Sequence, residues 1–459
     1  MESADVVVIG TGPGGEWLAG RLARAGLDVV AVESNLVGGE CPYWGCVPTK
    51  MMVRAAHLLA EGRRIPGMAG ESEVRPDWAP VAARIQADAT DHWDDAAAVE
   101  RLEGAGGRLV RGAGRLEAAD VVAVGDLRIR AGRAIVLATG TRPDIPPIPG
   151  LADTPFWTNH DAVATESVPR SMIVLGGGAV GTELAQVFSR FGGEITVVDE
   201  SDRLLAQEEP EAGKVIAGVF TAEGIDVVTG LGADRIDHDG SSFSVTLTDG
   251  RNLSAERLLV ATGRRLDLPS LGLEVLGIDP EVDAVPVDEH LRVADGVWAV
   301  GDITGKGAFT HVSMYQAAIA AADILGEPHA AADYRAVPRV TFTDPEVASV
   351  GHTEQTATEE GIDVAVGSAP VPETARGWMH KAGNEGLIKL VADGPRDVLV
   401  GATAVGPNGG EVIGLLTLAV KASVPLDVLR TMIYAYPTFH RGVEDALRAM
   451  PGRSANGGQ

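Results

Sequence analysis

The sequence predicts an α/β fold in which one strand–turn–helix–strand unit occurs twice. The first copy reads VVVIGTGPGGEWLAGRLARAGLDVVAVES and the second reads MIVLGGGAVGTELAQVFSRFGGEITVVDE. In each copy a β-branched run leads into a glycine-rich turn, a helical stretch and a second β-branched run that ends in an acid. Glycine is unusually frequent, at 58 of 459 residues, which favours tight turns and close approach of the backbone to ligands.

The glycines and acids of both copies keep the spacing of a dinucleotide-binding unit. The acids Glu33 and Asp199 each follow the first glycine of their copy by 23 positions. In such a unit the first glycine makes the turn, the second lets the backbone approach a pyrophosphate, and the carboxylate binds the ribose. A surface turn would explain one copy, but two complete copies favour two dinucleotide sites. The glycines are Gly10, Gly12 and Gly15 in the first copy, and Gly176, Gly178 and Gly181 in the second.

The two copies differ in length. Ala134–Gly140 and Leu258–Arg264 close them alike, yet the first copy spans about 43 more residues between its first glycine and the closing segment. Both cysteines and an alanine-rich stretch around Val81–Leu102, predicted to be helical, fall in this insertion. We therefore expect the insertion to carry the chemistry. Two such sites usually serve one resident and one exchanging cofactor, and FAD with a nicotinamide dinucleotide is the obvious pair.

Composition narrows the class of protein. With 45% apolar and 22% charged residues, the chain is predicted to be globular and soluble. Its formal charge of −26 disfavours nucleic acids and anionic membranes as partners. No run of 18 apolar residues occurs, and the strand-like Asp5–Ile9 leaves no room for a signal peptide. We expect a cytoplasmic protein.

The two cysteines, Cys41 and Cys46, are separated by four residues. The residues that follow have helical composition, which places Cys46 near a helix N-terminus, where the helix dipole lowers the pKa of a thiol. Zinc is a poor alternative because no second cysteine pair or suitable histidine spacing lies nearby, and no metal site is predicted. A structural disulfide would stabilise little across so short a loop. The pattern favours a redox-active pair.

These motifs make the chain similar to the class I FAD-dependent pyridine nucleotide–disulfide oxidoreductases, which include dihydrolipoamide dehydrogenase, glutathione reductase and mercuric reductase. The resemblance runs from about Asp5 to Met450. Its most specific segments are Gly38–Lys50 around the cysteines, Trp298–Asp302, and Val337–Gly351, which looks like the opening of the family's dimer-interface domain.

The resemblance implies a set of cofactor residues. For FAD they are Gly10, Gly12, Gly14, Gly15, Glu33, Lys50, Gly114, Thr139, Gly140, Asp302 and Thr310. For the nicotinamide dinucleotide they are Gly176, Gly178, Ala179, Gly181, Asp199 and Gly263. NADH is expected rather than NADPH, because a carboxylate at Asp199 binds ribose hydroxyls and repels a 2′-phosphate.

The resemblance also implies a route for electrons. NAD(P)H reduces the flavin, Cys46 is the sulfur next to the flavin, and Cys41 is the interchange thiol that attacks an external disulfide. Lys50 and Glu183 would form an ion pair beside the flavin. The alternative for these two is an ordinary surface lysine and a helical glutamate.

The C-terminal segment departs from the family pattern of a histidine followed five positions later by a glutamate. Tyr436 stands in the histidine position and Arg441 in the glutamate position. A phenol has a reference pKa near 10 against about 6.5 for imidazole, so using it as a base near neutrality costs roughly 4–5 kcal/mol. Either His440 and Glu444 form a displaced pair on a helix, or they are ordinary surface residues and the enzyme dispenses with the base.

Another departure is the loop between the cysteines. It holds Pro42, Tyr43 and Trp44, which either line the approach to the disulfide or merely pack.

The predicted architecture has two Rossmann-like domains and a C-terminal α+β dimerisation domain. The FAD domain covers 1–150 and returns at 270–335, the NAD(P) domain covers 151–269, and the interface domain covers 336–450. Residues 451–459 are predicted to be disordered. Because family active sites use both subunits, a homodimer is expected.

The leading predicted function is NAD(P)H-dependent reduction of a disulfide or another thiol-reactive acceptor through FAD and the cysteine pair. The alternative is a quinone reductase or diaphorase with ancillary thiols. A mercuric-ion reductase is less favoured, because family members of that kind use an extra C-terminal cysteine pair that this sequence lacks. A redox sensor with little turnover has no positive feature in its support.

Overall fold

A computed structural model describes residues 1–451 of the chain, so the predicted tail lies outside the described residues except for Pro451. The chain forms two compact units. The first comprises Met1–Met51, Ala82–Asp144 and Gly263–Tyr334, and the second comprises Met52–Val81, Ile145–Thr262 and the chain from Arg335 onward. Within the described part of the chain, we find no helix with the length and hydropathy needed to cross a membrane.

The strands follow the β-branched runs of the sequence. Up to residue 143 they are β1 Glu2–Ile9, β2 Val29–Glu33, β3 Arg108–Arg111, β4 Gly114–Ala118, β5 Val121–Val124, β6 Leu127–Leu137 and β7 Arg142–Pro143. The next are β8 Ser171–Leu175, β9 Glu194–Asp199, β10 Asp226–Thr229, β11 Ala233–His238, β12 Phe243–Leu247, β13 Asn252–Ala255 and β14 Arg257–Val260. The last are β15 Arg264–Arg265, β16 Arg292–Ala294, β17 Val297–Ala299, β18 Pro338–Thr341, β19 Glu346–Gly351, β20 Val364–Pro370, β21 Leu387–Asp393 and β22 Val398–Gly406.

The α-helices include one after each glycine-rich turn. Up to residue 190 they are α1 Pro13–Arg24, α2 Glu40–Tyr43, α3 Cys46–Arg64, α4 Ala79–Arg84, α5 Ala96–Gly104, α6 Asn159–Ala164 and α7 Ala179–Arg190. The remainder are α8 Pro210–Ala222, α9 Thr310–Leu325, α10 Glu354–Glu359, α11 Ala375–His380, α12 Gly409–Lys421, α13 Leu426–Thr431 and α14 Gly442–Ala449.

The first unit is built on a sheet with the strand order β16-β17-β6-β1-β2-β3, in which β1 lies between parallel neighbours. Successive side chains of β1 point to opposite faces of the sheet. Val6 and Val8 pack in the core that holds Leu18 of α1, whereas Val7 and Ile9 pack in the core under β4 and β5. Since both faces of β1 are buried over Val6–Ile9, this part of the strand is a continuous apolar run rather than an alternating one.

In the second unit, the segment from β8 to β14 again forms a parallel sheet with a second layer of strands packed on it. Strands β10-β9-β8-β14 form a parallel sheet in that order, and β11-β12-β13 form an antiparallel layer. Ile173 and Leu175 of β8 pack in one core with Phe243 and Val245 of β12. The two predicted Rossmann-like sheets are therefore present.

The C-terminal segment of the second unit is an antiparallel sheet of order β18-β19-β22-β21-β20. Its core joins the sheet to α12 and α14, with Leu390 of β21, Leu416 of α12 and Val443 of α14 all fully buried. This is the predicted α+β segment. This segment belongs to one compact unit together with the β10-β9-β8-β14 sheet and residues 52–81. The predicted bounds of the individual domains stay a prediction.

The alanine-rich stretch differs from its prediction as a helix. After α4 the chain forms a π-type turn at Ile85–Ala89, then a left-handed turn at Asp91–Trp93 with φ of 46°, 57° and 58°, and α5 begins only at Ala96. Such φ values are costly for residues with a side chain. The turn stacks the ring of Trp93 on that of Trp44, 5.2 Å away, so a tertiary contact accompanies the break in the helix.

Candidate active site

The first glycine-rich turn contains glycines of two kinds. At Gly10, whose φ is +93°, a Cβ would lie 2.4 Å from the carbonyl oxygen of Ala138, and a Cβ at Gly15 would lie 2.1 Å from the carbonyl oxygen of Gly10. These two glycines are required by the fold itself. A Cβ at Gly12 would meet nothing within 4 Å. Gly12 therefore leaves open space at the N-terminus of α1, which is where a pyrophosphate would bind.

The second turn has the same division of roles. At Gly176 the φ is +109° and a Cβ would lie 2.2 Å from the carbonyl oxygen of Ala261. A Cβ at Gly181 would lie 1.9 Å from the carbonyl oxygen of Gly176, and one at Gly178 would meet nothing within 4 Å. Ala179 begins α7 directly after this open position. Both turns thus have a shape that fits a dinucleotide.

The two acids hold the turns through hydrogen bonds. The buried carboxylate of Glu33 accepts from the backbone N–H of Thr11 at 2.7 Å and from its hydroxyl at 2.8 Å. The half-buried carboxylate of Asp199 accepts from the backbone N–H groups of Gly177 and, at 2.7 Å, of Ser201. Each acid therefore lies beside its glycine-rich turn, at the carboxyl end of the second strand of its unit.

Four other glycines and a threonine in the predicted set serve different purposes. A Cβ at Gly14 would lie 2.2 Å from Oγ of Ser313 in α9, and one at Gly114 would lie 2.9 Å from Cγ2 of Ile9, so both are required for packing. Gly140 and Gly263 have φ of +63° and +143° with open space around them. Thr139 lies just after β6, beside Gly140.

Asp302, in the position that the family pattern gives to the flavin, lies in a polar network. Its carboxylate accepts from the hydroxyl of Thr141 at 2.7 Å, and that hydroxyl accepts from Nε of Arg264 at 2.7 Å. Arg264 also lies 3.4 Å from the carboxylate of Glu40, the residue before Cys41. Sequence reasoning missed Thr141 and Arg264, although each directly follows an Ala-Thr-Gly segment of the repeat.

The cysteines lie where two helices begin. Cys41 is in α2 and Cys46 is the first residue of α3, as predicted, and both are free thiols in this structure. Sγ of Cys46 lies 3.5 Å from Oγ1 of Thr310, the first residue of α9. Three predicted residues, Cys41, Cys46 and Thr310, are therefore brought together.

The two thiols differ in acidity. A hydrogen bond from Cys41 lowers the pKa of Cys46 to about 6 although burial opposes this, and Thr310 and the charge of Lys50 lower it further. The same hydrogen bond and burial raise the pKa of Cys41. Cys46 is therefore the thiolate of the reduced pair and Cys41 the thiol that donates to it.

Lys50 belongs to the first compact unit and Glu183 to the second. Lys50 lies one helical turn after Cys46 in α3, and its Nζ donates to Oγ1 of Thr49 at 3.4 Å. Glu183 is buried in α7 with 4% of its surface exposed, and Oε1 accepts from the backbone N–H of Phe342 at 2.8 Å. Glu183 is therefore no ordinary surface residue. The ion pair between them stays a prediction.

The C-terminal segment does not form the displaced His440–Glu444 pair. Helix α14 begins at Gly442, so His440 precedes it rather than lying one turn before Glu444 on the helix, and Nε2 of His440 lies 3.5 Å from Oγ1 of Thr438. The carboxylate of Glu444 is instead paired with Arg441 at 3.0 Å and with Arg448. Of the two alternatives, the contacts of Glu444 favour the one in which His440 and Glu444 do not act as a pair.

Tyr436 is 64% exposed, and the guanidinium of Arg441 lies 5.1 Å from the centre of its ring. At this distance a cation is attracted to the face of a phenol ring. The two residues that replace the family's histidine and glutamate are therefore in contact with each other, as a cation–π pair. Sequence reasoning noted each substitution but not that they compensate.

Comparisons with known proteins agree with this geometry. Residues 4–322 match the family model of the pyridine nucleotide-disulphide oxidoreductases, and residues 337–447 match the dimerisation domain of the same family. The second match supports a homodimer. Members of this family are FAD-dependent and use NAD(P)H.

Individual relatives match over nearly the whole chain. A dihydrolipoyl dehydrogenase of Chlorobaculum tepidum is 34% identical, covering 97% of this chain and 97% of its own. A mercuric reductase of Acidithiobacillus ferrooxidans is 33% identical, covering 96% of this chain and 82% of its own. The HOCl-induced flavoprotein disulfide reductase RclA from Escherichia coli superposes with a TM-score of 0.84 at 28% identity, covering 97% of this chain and 99% of its own.

In this chain the first family match covers both dinucleotide turns and the thiol pair, and the second covers the antiparallel C-terminal sheet. The chain belongs to the pyridine nucleotide–disulphide oxidoreductase family.

Proposed function

We propose that this flavoenzyme takes electrons from NAD(P)H and delivers them through the Cys41–Cys46 pair to a disulfide or another thiol-reactive acceptor. FAD supplies a ring that accepts a hydride and passes two electrons to sulfur. The observation that carries the proposal is the placement of the thiol pair, in which Cys41 lies in α2 and Cys46 begins α3 with its Sγ 3.5 Å from Oγ1 of Thr310. Such a pair is suited to redox work rather than to structure.

The residues present fit both cofactors. The open position at Gly12, with Glu33 beside it, would hold the pyrophosphate and ribose of FAD, and Asp302 and Thr310 would lie toward its flavin end. The open position at Gly178, with Asp199 beside it, would hold the nicotinamide dinucleotide. A single carboxylate there favours NADH as the donor. The first unit is thus the FAD domain, and the segment from β8 to β14 the NAD(P) domain.

The sulfur chemistry balances with the two cysteines alone. The Cys41 thiol attacks one sulfur of the substrate disulfide and forms a mixed disulfide, and the first substrate sulfur leaves as a thiolate that takes up the proton lost by Cys41. The Cys46 thiolate then attacks the sulfur of Cys41, which forms the Cys41–Cys46 disulfide and releases the second thiolate. Two electrons leave the protein, and the two thiolates take up protons. NAD(P)H restores the dithiol through FAD.

The residue in the family's histidine position is unusual in this chain. Tyr436 of the second subunit would stand where the family has its histidine. A phenol is too weak a base to replace imidazole near neutrality, but it can donate a hydrogen bond to a departing sulfur. We infer that Tyr436 stabilises the leaving thiolate, with Arg441 held against its ring. A cytoplasmic location, where thiols are kept reduced, suits this role.

The test compares the parent homodimer with Cys41→Ser and Cys46→Ser. Two-electron reduction of the parent should give a long-wavelength charge-transfer band between the Cys46 thiolate and the flavin. Cys41→Ser should keep bound FAD and the contact between the Cys46 thiolate and the flavin, but it should lose disulfide reduction. Cys46→Ser should lose both the band and disulfide reduction. A parent that forms no such band and reduces no disulfide would overturn the proposal.

Quinone reduction with ancillary thiols is the second candidate, because Tyr436 stands in the histidine position and Glu444 pairs with Arg441 rather than with His440. Quinones accept electrons from reduced flavin without a thiol base. Quinone turnover should then be equal in the parent and in Cys41→Ser. If the parent turns over quinones well and no disulfide, this second candidate is the function.

A further inference from the structure

Apart from the thiol pair, the first unit contains a cluster of side chains of the types that bind metal ions. This cluster has no part in the function proposed above. His290 precedes β16, Asp323 lies in the last turn of α9, and His329 follows that helix. One potential ligand atom from each of the three lies within 4.8 Å of the other two. His290 lies 33 residues before Asp323, and His329 lies six residues after it. No metal site was predicted from the sequence.

Hydrogen bonds hold the Asp323 carboxylate so that one lone pair remains directed at His329. Oδ2 accepts from Nε of Arg292 at 2.6 Å and from Nε1 of Trp298 at 2.8 Å, which uses both of its lone pairs. Oδ1 accepts from Nη2 of Arg292 at 2.7 Å and faces Nε2 of His329 at 3.2 Å. Outer groups of this kind commonly orient a carboxylate that binds a metal.

The tautomer of His329 leaves a lone pair facing this oxygen. Nδ1 of His329 lies 3.1 Å from the carbonyl oxygen of Ala330, and since a carbonyl only accepts, Nδ1 carries the hydrogen. In neutral His329 the Nε2 atom is then an acceptor that faces another acceptor. A proton or a metal ion between Nε2 and Oδ1 removes this conflict. Two ligands of a tetrahedral zinc ion lie about 3.4 Å apart, close to the 3.2 Å found here.

His290 supplies a third donor that has no other use. Its Nδ1 is buried and has no hydrogen-bond partner among the described residues. The His290 and His329 rings are 5.0 Å apart and nearly perpendicular, so both can approach one point. The turn that carries His290 is fixed, because Asp288 accepts from the backbone N–H of His290 at 2.8 Å and of Arg292 at 2.9 Å.

An ion can reach the cluster. The His290 side chain is 34% exposed and that of His329 is 14% exposed. A groove of about 850 Å³ has Asp323, Arg292 and Trp298 in its wall.

We propose that His290, Asp323 and His329 form a binding site for a divalent late transition metal ion of the Zn²⁺ type, with an open coordination position toward solvent. Imidazole and carboxylate ligands in this ratio suit zinc and its neighbours rather than Mg²⁺ or Ca²⁺. A bound ion would tie the end of α9 to the turn before β16 and so stabilise the first unit.

The test titrates the untagged, FAD-loaded homodimer with Zn²⁺ in competition with a chromogenic chelator. The protein is kept oxidised so that Cys41 and Cys46 are joined and offer no thiolate. One equivalent of Zn²⁺ per chain should bind, and His290→Ala should weaken binding on the order of 100-fold. His352→Ala is the matched control, since its side chain is 30% exposed beside Glu360, much as His290 lies beside Glu289.

A second measurement guards against misfolding. FAD content and the thermal midpoint should be the same in the zinc-free parent and in His290→Ala, whereas Zn²⁺ should raise the midpoint of the parent and of His352→Ala only. Co²⁺ bound to the parent should give the intense visible absorption of a four-coordinate site. A parent that binds no Zn²⁺, or equal binding by the parent and His290→Ala, would overturn the proposal.

Discussion

The two glycine-rich turns share a backbone shape but differ in how firmly the protein encloses them. In the first turn Gly14 lies against Ser313 of α9, where no side chain fits. The matching position of the second turn is Val180, which is 43% exposed. The first acid, Glu33, is buried and takes two hydrogen bonds from Thr11, whereas the second, Asp199, is half-buried.

This difference matches the lifetimes expected of the two cofactors. A turn locked against a neighbouring helix suits a cofactor that stays bound, such as FAD. A turn with an exposed helix start suits one that must enter and leave in every cycle, such as NAD(P)H. Sequence spacing places both turns in one class, and packing separates a resident site from an exchanging one.

Of the changes considered, exchanging the residue types at positions 14 and 180 should give the largest change in stability. Gly14→Val would place a Cβ 2.2 Å from Oγ and 2.9 Å from the carbonyl oxygen of Ser313. Because α1 and α9 must then separate, we expect about 3 kcal/mol of lost stability and lower FAD content. The reverse change, Val180→Gly, should cost about 1 kcal/mol or less and leave FAD content unchanged. Thermal midpoints and flavin absorbance per chain check this, and equal losses in both variants would refute the comparison.

The open glycines provide a test that leaves the fold intact. Gly178 has φ of −76° and Gly12 has φ of −60°, values that alanine adopts freely. Gly178→Ala should raise the KM for NAD(P)H about tenfold, equivalent to about 1.4 kcal/mol, with FAD content unchanged. Gly12→Ala should instead reduce FAD affinity. Steady-state kinetics and flavin release measure the two effects, and a shared loss of FAD would contradict separate sites.

Of the two acids, only Asp199 should influence the preference of the enzyme for NADH over NADPH. Asp199→Asn keeps the shape of the side chain and removes the charge that repels a 2′-phosphate, so the ratio of kcat/KM for NADH over NADPH should fall about fivefold, or about 1 kcal/mol. Glu33→Gln is the matched control at the first acid and should leave that ratio unchanged. A ratio that moves equally in both variants would mean that Asp199 does not select the donor.

The thiol pair is present only in the first copy of the repeat. Changing a charge near it should give the smallest expected effect, a shift in the pKa of Cys46. Cys46 becomes a thiolate as the pH rises through about 6, so its alkylation by iodoacetamide should accelerate across that pH. Lys50→Met removes a positive charge that lowers the pKa, so the midpoint should move up by about half a unit, or about 0.7 kcal/mol. Lys214→Met, at an exposed lysine of α8, should leave the midpoint in place. Identical profiles for both variants would exclude Lys50 as a neighbour that acts on the thiol.

Much of the fold could be predicted because its signals are local. The turns around Gly10 and Gly176 each combine a β-branched strand, a glycine with positive φ and a helix start within a few residues. The position of Cys46 at the start of α3 follows from composition alone. These features depend on backbone conformation and on the burial of both faces of a parallel strand, which adjacent residues reveal.

Predictions that depended on which side chains meet were less successful. The spacing of His440 and Glu444 left open whether they pair, and in the structure Glu444 pairs with Arg441 and Arg448 instead. The break before Trp93 was missed because its partner, Trp44, lies some fifty residues earlier in the chain. A stacking partner from a distant segment leaves no periodic trace in a sequence, and spacing alone does not decide which of several charged neighbours an acid will pair with.

The amino-acid order by itself determined two dinucleotide turns, one vicinal thiol pair and the change from histidine to tyrosine at position 436, because each is a matter of residue type and short spacing. Only the tertiary structure decided that Gly14 lies against Ser313 while Val180 is exposed, that Thr310 lies beside Cys46, and that His290, Asp323 and His329 lie close together. Burial and hydrogen bonding set acidity, access and ligand geometry, and they arise when segments far apart in the chain pack together.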